Sequence, residues 1–402
     1  MATFRLRHFS DPQTLRAIAP RRLVRFLEPF RTFFTSRDYQ LPTEEEAETE
    51  GPECVNYQAI VNIFMAPDQG TPRELLDGLY LVDEMSTPEA MDALLVAADA
   101  ADLTLDPDMD HSPADVAVQV WLLDSDILER KHAEQFLLRP KSFEYFQASS
   151  DAAPAFIPPS SAVRKQLERE LDDWFEHKKR GRNSRVFIFA RNNEVAFLIR
   201  HGEPFKREES QEGAEVSSVC YRPIKYDVAV YDRQLGELRI NAQLAGEKKL
   251  YCQKLGEHLF GDRDCFPGKK KYTLEPLREY GADALACFDI EGIEWITLTE
   301  IEFHYGGTHN AREVKKADDI FADLDDRGRQ LPAGGRITKA VFKVKFEDSK
   351  TPRSVKIKPS NVAQYTRDTD AALVEQWLTL RGFMVSKAPS EHEPREEVLV
   401  GT

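Results

Sequence analysis

Long apolar runs are missing from this sequence: none approaches the ~20 residues that a helix needs to cross a bilayer. No membrane partner is therefore expected. The opening stretch MATFRLRHFSDPQ is basic but has no apolar centre, which argues against a secretory leader, and Asp11 argues against a transit peptide. Cysteine is sparse, with five residues (Cys54, Cys220, Cys252, Cys265 and Cys287), an odd number with no C-x-x-C spacing. That pattern excludes a disulfide framework and a zinc knuckle, and points to reduced thiols in the cytoplasm. Glycine-rich phosphate loops of either common spacing are absent, as is the G-x-S-x-G elbow of hydrolases. The nine histidines are scattered and form no H-E-x-x-H. No cofactor and no dedicated metal site is expected.

Hydrophobic residues make up 41% and charged residues 31% of 402 positions, enough for real cores in two or three soluble domains. The net charge is -15 and the pI about 5.2. An acidic chain repels phosphate on average, so any nucleic-acid contact has to come from a segregated basic face.

The periodicity divides the chain. Through residue 147 the apolar residues recur at helical spacing, with Thr71-Pro72, Thr87-Pro88 and Ser112-Pro113 as hydroxyl caps before proline. An antiparallel bundle or a repeat-like helical array is expected, interrupted by an acidic mobile loop over 43–53. The small, proline-rich segment 148–161 reads as a linker. A helix over 162–177 leads into paired strands, Arg185–Ala190 with Val195–Arg200 and Tyr226–Asp232 with Glu237–Asn241. A helix over 247–260, strands at Ala284–Ile290 and Trp295–His304, a hairpin of Thr338–Phe346 with Arg353–Lys358, and a helix over 370–380 follow. The expected fold is multidomain, a helical domain followed by a mainly antiparallel α+β domain over 162–387, with a disordered tail over 388–402.

Two constellations carry chemistry. In FLIRHGEP an apolar strand runs into Arg200-His201-Gly202-Glu203. This resembles the opening of the active site in the histidine phosphatase (phosphoglycerate mutase-like) family. The resemblance implies His201 as nucleophile, Arg200 and Arg207 as phosphate ligands, His304 as the second histidine, and Glu203 or Glu302 as proton donor. It covers about eight residues; the family's intervening arginine motif is missing, and the surrounding pattern is antiparallel. The other reading is a strand end entering a turn at Gly202. Two further stretches have metal-binding elements: DPDMDH, Asp106 to His111, begins like a calcium loop but has His111 and Ala117 where glycine and glutamate are needed. GDRDC at 261–265, with His258, Asp289, Glu291 and Lys269 to Lys271, has nuclease elements at generic spacing.

The second constellation is basic. In KAVFKVKF, Phe342, Val344 and Phe346 point one way and Lys343 and Lys345 the other; in SVKIKP, Val355 and Ile357 alternate with Lys356 and Lys358. HKKRGRNSR adds Lys178, Lys179 and Arg180, GKKKY a further cluster, and the N-terminal arginines another. A two-stranded ribbon with one basic face can follow a phosphate backbone without reading sequence. Edge lysines that block sheet aggregation are the competing explanation. The sequence points to a non-catalytic adaptor, binding a protein through its helices and a nucleic-acid backbone through Lys343, Lys345, Lys356, Lys358, Lys178, Lys179 and Arg180. A phosphoryl hydrolase at His201 and a purely structural assembly subunit are the alternatives.

Overall fold

The computed structural model describes residues 6–385 except 69, 107–111, 138, 151, 192, 213–214 and 367–369. The calcium-like stretch beyond Asp106 and the tail at 388–402 lie outside the described residues. The chain divides into two compact units, Met1–Phe136 and Leu137–Thr402. The division precedes the 148–161 segment, because Ser142–Gln147 is already a strand of the second unit's sheet.

The first unit is helical: α1 Pro12–Arg16, α2 Pro20–Leu27, α3 Arg31–Ser36, α4 Glu44–Thr49, α5 Tyr57–Phe64, α6 Arg73–Glu84, α7 Pro88–Ala100, α8 Pro113–Leu123 and α9 Ser125–Glu134. They share one core, in which Leu23, Val24, Phe34, Ile60, Val82 and Val116 are buried. Two buried aspartates hold the N-terminal segment. Asp83 accepts from the backbone N–H groups of Arg7, His8 and Phe9 at 2.8–2.9 Å. Asp115 accepts from Ala19 N, from Arg22 and from Gln119.

Thr87 and Ser112 cap α7 and α8 as the sequence suggests. Thr71 does not: α6 begins one residue later, and Thr71 instead receives the Asp68 backbone N–H. The acidic stretch also departs from expectation. It is the helix α4, closed by a capping box in which Thr43 and Glu46 each receive the other's backbone N–H, and anchored by buried Ala47.

The second unit contains β1 Ser142–Gln147, α10 Ser161–His177, β2 Arg185–Arg191, β3 Glu194–Gly202, β4 Lys206–Glu212, β5 Glu215–Tyr221, β6 Ile224–Asp232, β7 Glu237–Asn241, α11 Ala245–Phe260, α12 Pro276–Glu279, β8 Ile293–Gly306, β9 Ala311–Lys316, α13 Ile320–Asp326, β10 Arg336–Phe346, β11 Arg353–Lys358, β12 Val362–Gln364 and α14 Ala371–Leu380. Ten strands form one antiparallel sheet in the order β2-β3-β6-β7-β1-β12-β11-β10-β8-β9, and β4-β5 is a separate hairpin. The expected strand at Ala284–Ile290 is a 3-10 turn over Gly281–Leu285 followed by bends. Ala284, Leu285, Cys287 and Ile290 are buried and Phe288 is exposed, without the alternation of a strand.

The two halves of the sheet are packed on opposite faces. Over β2, β3, β6, β7 and β1, α10 and α11 cover the front, where Phe146, Val195, Phe197, Ile199, Ala229 and Ile240 join Leu171, Phe175 and Leu255 in one core. Over β8, β10 and β11 the helices lie on the back. There Trp377 of α14 and nearby Phe383 pack on Phe342 with ring centroids 5.0 and 5.8 Å away, and Arg278 of α12 lies over Phe303. The front of the β8-β10-β11 half therefore carries the polar members of the alternation.

Candidate functional site

The motif at His201 builds a buried polar network. Ile199 is opposite Asp227 in the β3–β6 register and His201 is opposite Lys225, so His201 and Asp227 are diagonal neighbours on the front face. His201 Nε2 lies 3.0 Å from Asp227 Oδ2, and Nδ1 lies 2.9 Å from the Gly202 carbonyl oxygen. The ring stacks on Phe175 of α10 at 4.2 Å between centroids and is 0% exposed. Tyr251 donates to Asp227 at 2.8 Å and Lys225 Nζ lies 3.0 Å from its other oxygen. One layer away, Glu247, also buried, receives Arg180 at 2.6 Å and the Leu244 backbone N–H at 2.8 Å.

Burial pushes the Asp227 carboxyl up, but the hydrogen bond from His201 and the charge of Lys225 outweigh it and hold it below its ordinary value. Burial and the Asp227 charge push the Tyr251 phenol well above its own. Gly202 has a packing reason: a Cβ there would lie 2.2 Å from the Arg180 carbonyl oxygen.

The structure does not bring the four phosphatase-like residues together. His201 has both ring nitrogens engaged beneath α10. Arg200 points to the other face of β3, with Nη2 3.5 Å from Asn183. Arg207 is exposed on β4 of the separate hairpin. His304 is on β8, seven strand steps from β3 in the sheet order, or ~34 Å at ~4.8 Å per step. Carboxylate–histidine clusters with ligand-like spacing occur at His201, Asp227 and Glu247 and at Glu170, Glu257 and His258. Side-chain cations already serve both: Lys225 and Arg180 in the first, Lys254 in the second, at 2.6 Å from Glu170 and 2.9 Å from Glu257.

The basic residues divide into spent and available. Arg180 turns inward to Glu247 and belongs to the buried network. Lys345 pairs with Glu294 at 2.8 Å. The N-terminal arginines are largely occupied: Arg16 by Glu53, Arg21 by Glu44 and Glu48, and Arg22 by Asp106 and Asp115. Lys178 and Lys179 are exposed at the end of α10, the former 5.7 Å from the Trp174 ring.

On the sheet, Phe342, Val344, Phe346, Val355 and Ile357 are buried and Lys343 and Lys358 exposed, as the alternation requires. Among the described residues, Lys343, Lys356 and Lys358 have no carboxylate within ion-pair distance; Lys356 reaches Gln364 at 3.3 Å. β10 and β11 are interior strands, flanked by β8 and β12, so these lysines do not guard a sheet edge. The sheet ends at β9, whose Ala311–Lys316 is largely exposed.

Sequence reasoning missed the front-face neighbours of the ribbon. Trp295 of β8 is opposite Lys345 in register and 40% exposed. Lys339, Glu300 and Glu302 form ion pairs at the far end of the same face, so the unpaired positive charge is concentrated at β11 and the adjoining stretch of β10. Among the described residues no helix is long and apolar enough to cross a membrane. No protein-family model matches the sequence, and a search of curated proteins finds no match.

Proposed function

We propose that the protein is a non-catalytic binding protein whose second unit engages a nucleic-acid backbone through the front of β10 and β11, while the helical first unit binds a protein partner. The observation that carries this reading is the set of three lysines, Lys343, Lys356 and Lys358, exposed or half-buried on one face of two adjacent strands and without carboxylate partners among the described residues. Lys356 and Lys358 are two residues apart on one strand, ~6.8 Å, or about two steps of the ~3.4 Å by which the charges of one duplex strand rise along the helix axis. Lys178 and Lys179 form a separate exposed basic group at the end of α10.

The contacts are to phosphate, so binding is weakly selective for sequence and strongly dependent on salt. Three phosphate contacts give a slope of about -2 to -3 in log K against log salt. Charge reversal of the three lysines, read by anisotropy of labelled oligonucleotides, tests the proposal. A stable nuclease-insensitive complex with protein, without oligonucleotide binding, would assign the molecule to structural assembly instead.

A further inference from the structure

The GKKKY loop forms the rim of a cleft on the back of the sheet, the face opposite the lysine ribbon. Its main chain extends the sheet at β1, Gln147 and Gly268 exchanging backbone hydrogen bonds at 3.0 and 3.1 Å. The cavity measures about 1200 Å³ between this loop, the start of β7 and α14. That is at or above the ~300–1,000 Å³ of ordinary small-molecule sites.

Two features define its chemistry. The wall is apolar: Leu235, Leu380 and Val385 line it and are 59%, 51% and 46% exposed, with Met384 beside them. Single exposed apolar side chains are common, but here three converge on one concavity. The floor is polar and internally neutral. Lys271 is buried and ion-paired with buried Glu237, whose other oxygen receives Gln147 at 2.8 Å, and the ammonium lies 4.0 Å from the Tyr145 ring centroid. At the mouth Lys270 is exposed and Glu375 accepts from the Tyr365 hydroxyl at 2.6 Å. The Lys269 ammonium turns to the front of the sheet, 5.6 Å from the Phe146 ring, which leaves Lys270 as the cation of the entrance.

We propose that this cleft binds a small amphipathic anion, an aliphatic chain ending in a carboxylate or phosphate. The chain lies against Leu235, Leu380 and Val385 and the head group meets Lys270. The volume admits a chain of many carbons, and Lys270, which has no carboxylate within ion-pair distance among the described residues, selects a negative head over a positive one, Glu375 being engaged by Tyr365.

The test is a titration of the full chain with 11-(dansylamino)undecanoic acid, followed by the dansyl blue shift and by competition. Saturable binding at one site per chain is expected, displaced by dodecanoate and by dodecyl phosphate but not by dodecyltrimethylammonium. Leu380→Arg, at an exposed position of α14, is expected to abolish it. Lys270→Glu is expected to weaken it about tenfold without shifting the thermal unfolding midpoint. A carboxylate-only or a phosphate-only competition pattern identifies the head group within the proposal. Absence of probe binding, equal displacement by the cationic amphiphile, or undiminished binding in Leu380→Arg overturns it. So does a dimer that Leu380→Arg dissociates, which would give the cleft to a second copy.

Discussion

His201 and Asp227 face each other at 3.0 Å on neighbouring strands, with side chains 0% and 1% exposed. Two donors besides the histidine, Tyr251 and Lys225, converge on the same carboxylate. Removing it leaves buried donors unpaired, which costs far more than the net worth of the pair. Asp227→Ala is expected to destabilise the second unit by ~3–5 kcal/mol. Urea unfolding followed by Trp fluorescence measures this, and a change below ~1 kcal/mol would contradict the buried network.

Arg180 separates packing from binding. Arg180→Met leaves Glu247 buried without its guanidinium, and the unfolding midpoint is expected to fall by several degrees. Lys178→Ala and Lys179→Ala, at exposed positions, are expected to change stability by less than ~0.5 kcal/mol. Differential scanning calorimetry of the three variants compares them directly.

Gly202 tests the packing explanation of the His-Gly dipeptide. A methyl group there meets the Arg180 carbonyl oxygen at 2.2 Å, whereas one at Gly334 meets nothing within 4 Å. Gly202→Ala is expected to cost ~1–3 kcal/mol or more and Gly334→Ala to be near neutral. Equal unfolding midpoints for the two variants would remove this explanation.

Acid stability follows from two carboxylates held below their ordinary values. Burial raises Glu170, but hydrogen bonds from His258, Lys254 and Gln166 outweigh it and bring it down to about 2. Asp227 is depressed by His201 and Lys225 against its burial. In both cases the unfolded chain binds protons first as pH falls. The stabilisation is present above ~pH 4 and is lost on descent through the folded values. For Glu170 the window runs from ~4.3 down to about 2. Glu170→Gln is expected to flatten the dependence of unfolding free energy on pH in that window.

The acidic helix α4 gives the corresponding test in the first unit. Its capping box supplies two orphan donors with partners, so Thr43→Ala is expected to cost ~1 kcal/mol, with no change on replacing exposed Glu45 by Gln. Urea unfolding of both variants decides whether this stretch is a helix in solution.

What the sequence reveals depends on whether the deciding contacts are local. The alternation in KAVFKVKF and SVKIKP determines which side chains are buried, and β10 and β11 follow it residue by residue. Residues 43–49 have too few apolar residues to show a helical period, yet Thr43 and Glu46 spell a capping box, a local pattern that identifies α4. The strands β4 and β9 are mostly exposed charged sequence, and pairing rather than burial makes them strands. ALACFDI over 284–290 buries Ala284, Leu285, Cys287 and Ile290 at a turn and leaves Phe288 exposed, so that its composition imitates a strand without the alternation. His201 is the least legible residue of all: its partners are Asp227, 26 residues ahead on β6, and Phe175, 26 residues back on α10, and no spacing in the chain announces them. The lysines were visible in the alternation, but their freedom was not, because Glu294 claims Lys345 and Glu247 claims Arg180 from distant elements.

The central claim is tested most directly by anisotropy titration of labelled single-stranded and duplex DNA and RNA, at about 50 and about 200 mM salt, with wild type and the triple variant Lys343→Glu, Lys356→Glu, Lys358→Glu. The account predicts binding that weakens by roughly twentyfold or more over that salt range and a further loss of at least about tenfold in the triple variant, with its unfolding midpoint unchanged. Absence of binding at low salt, or binding that is indifferent to salt and to the three substitutions, would contradict it.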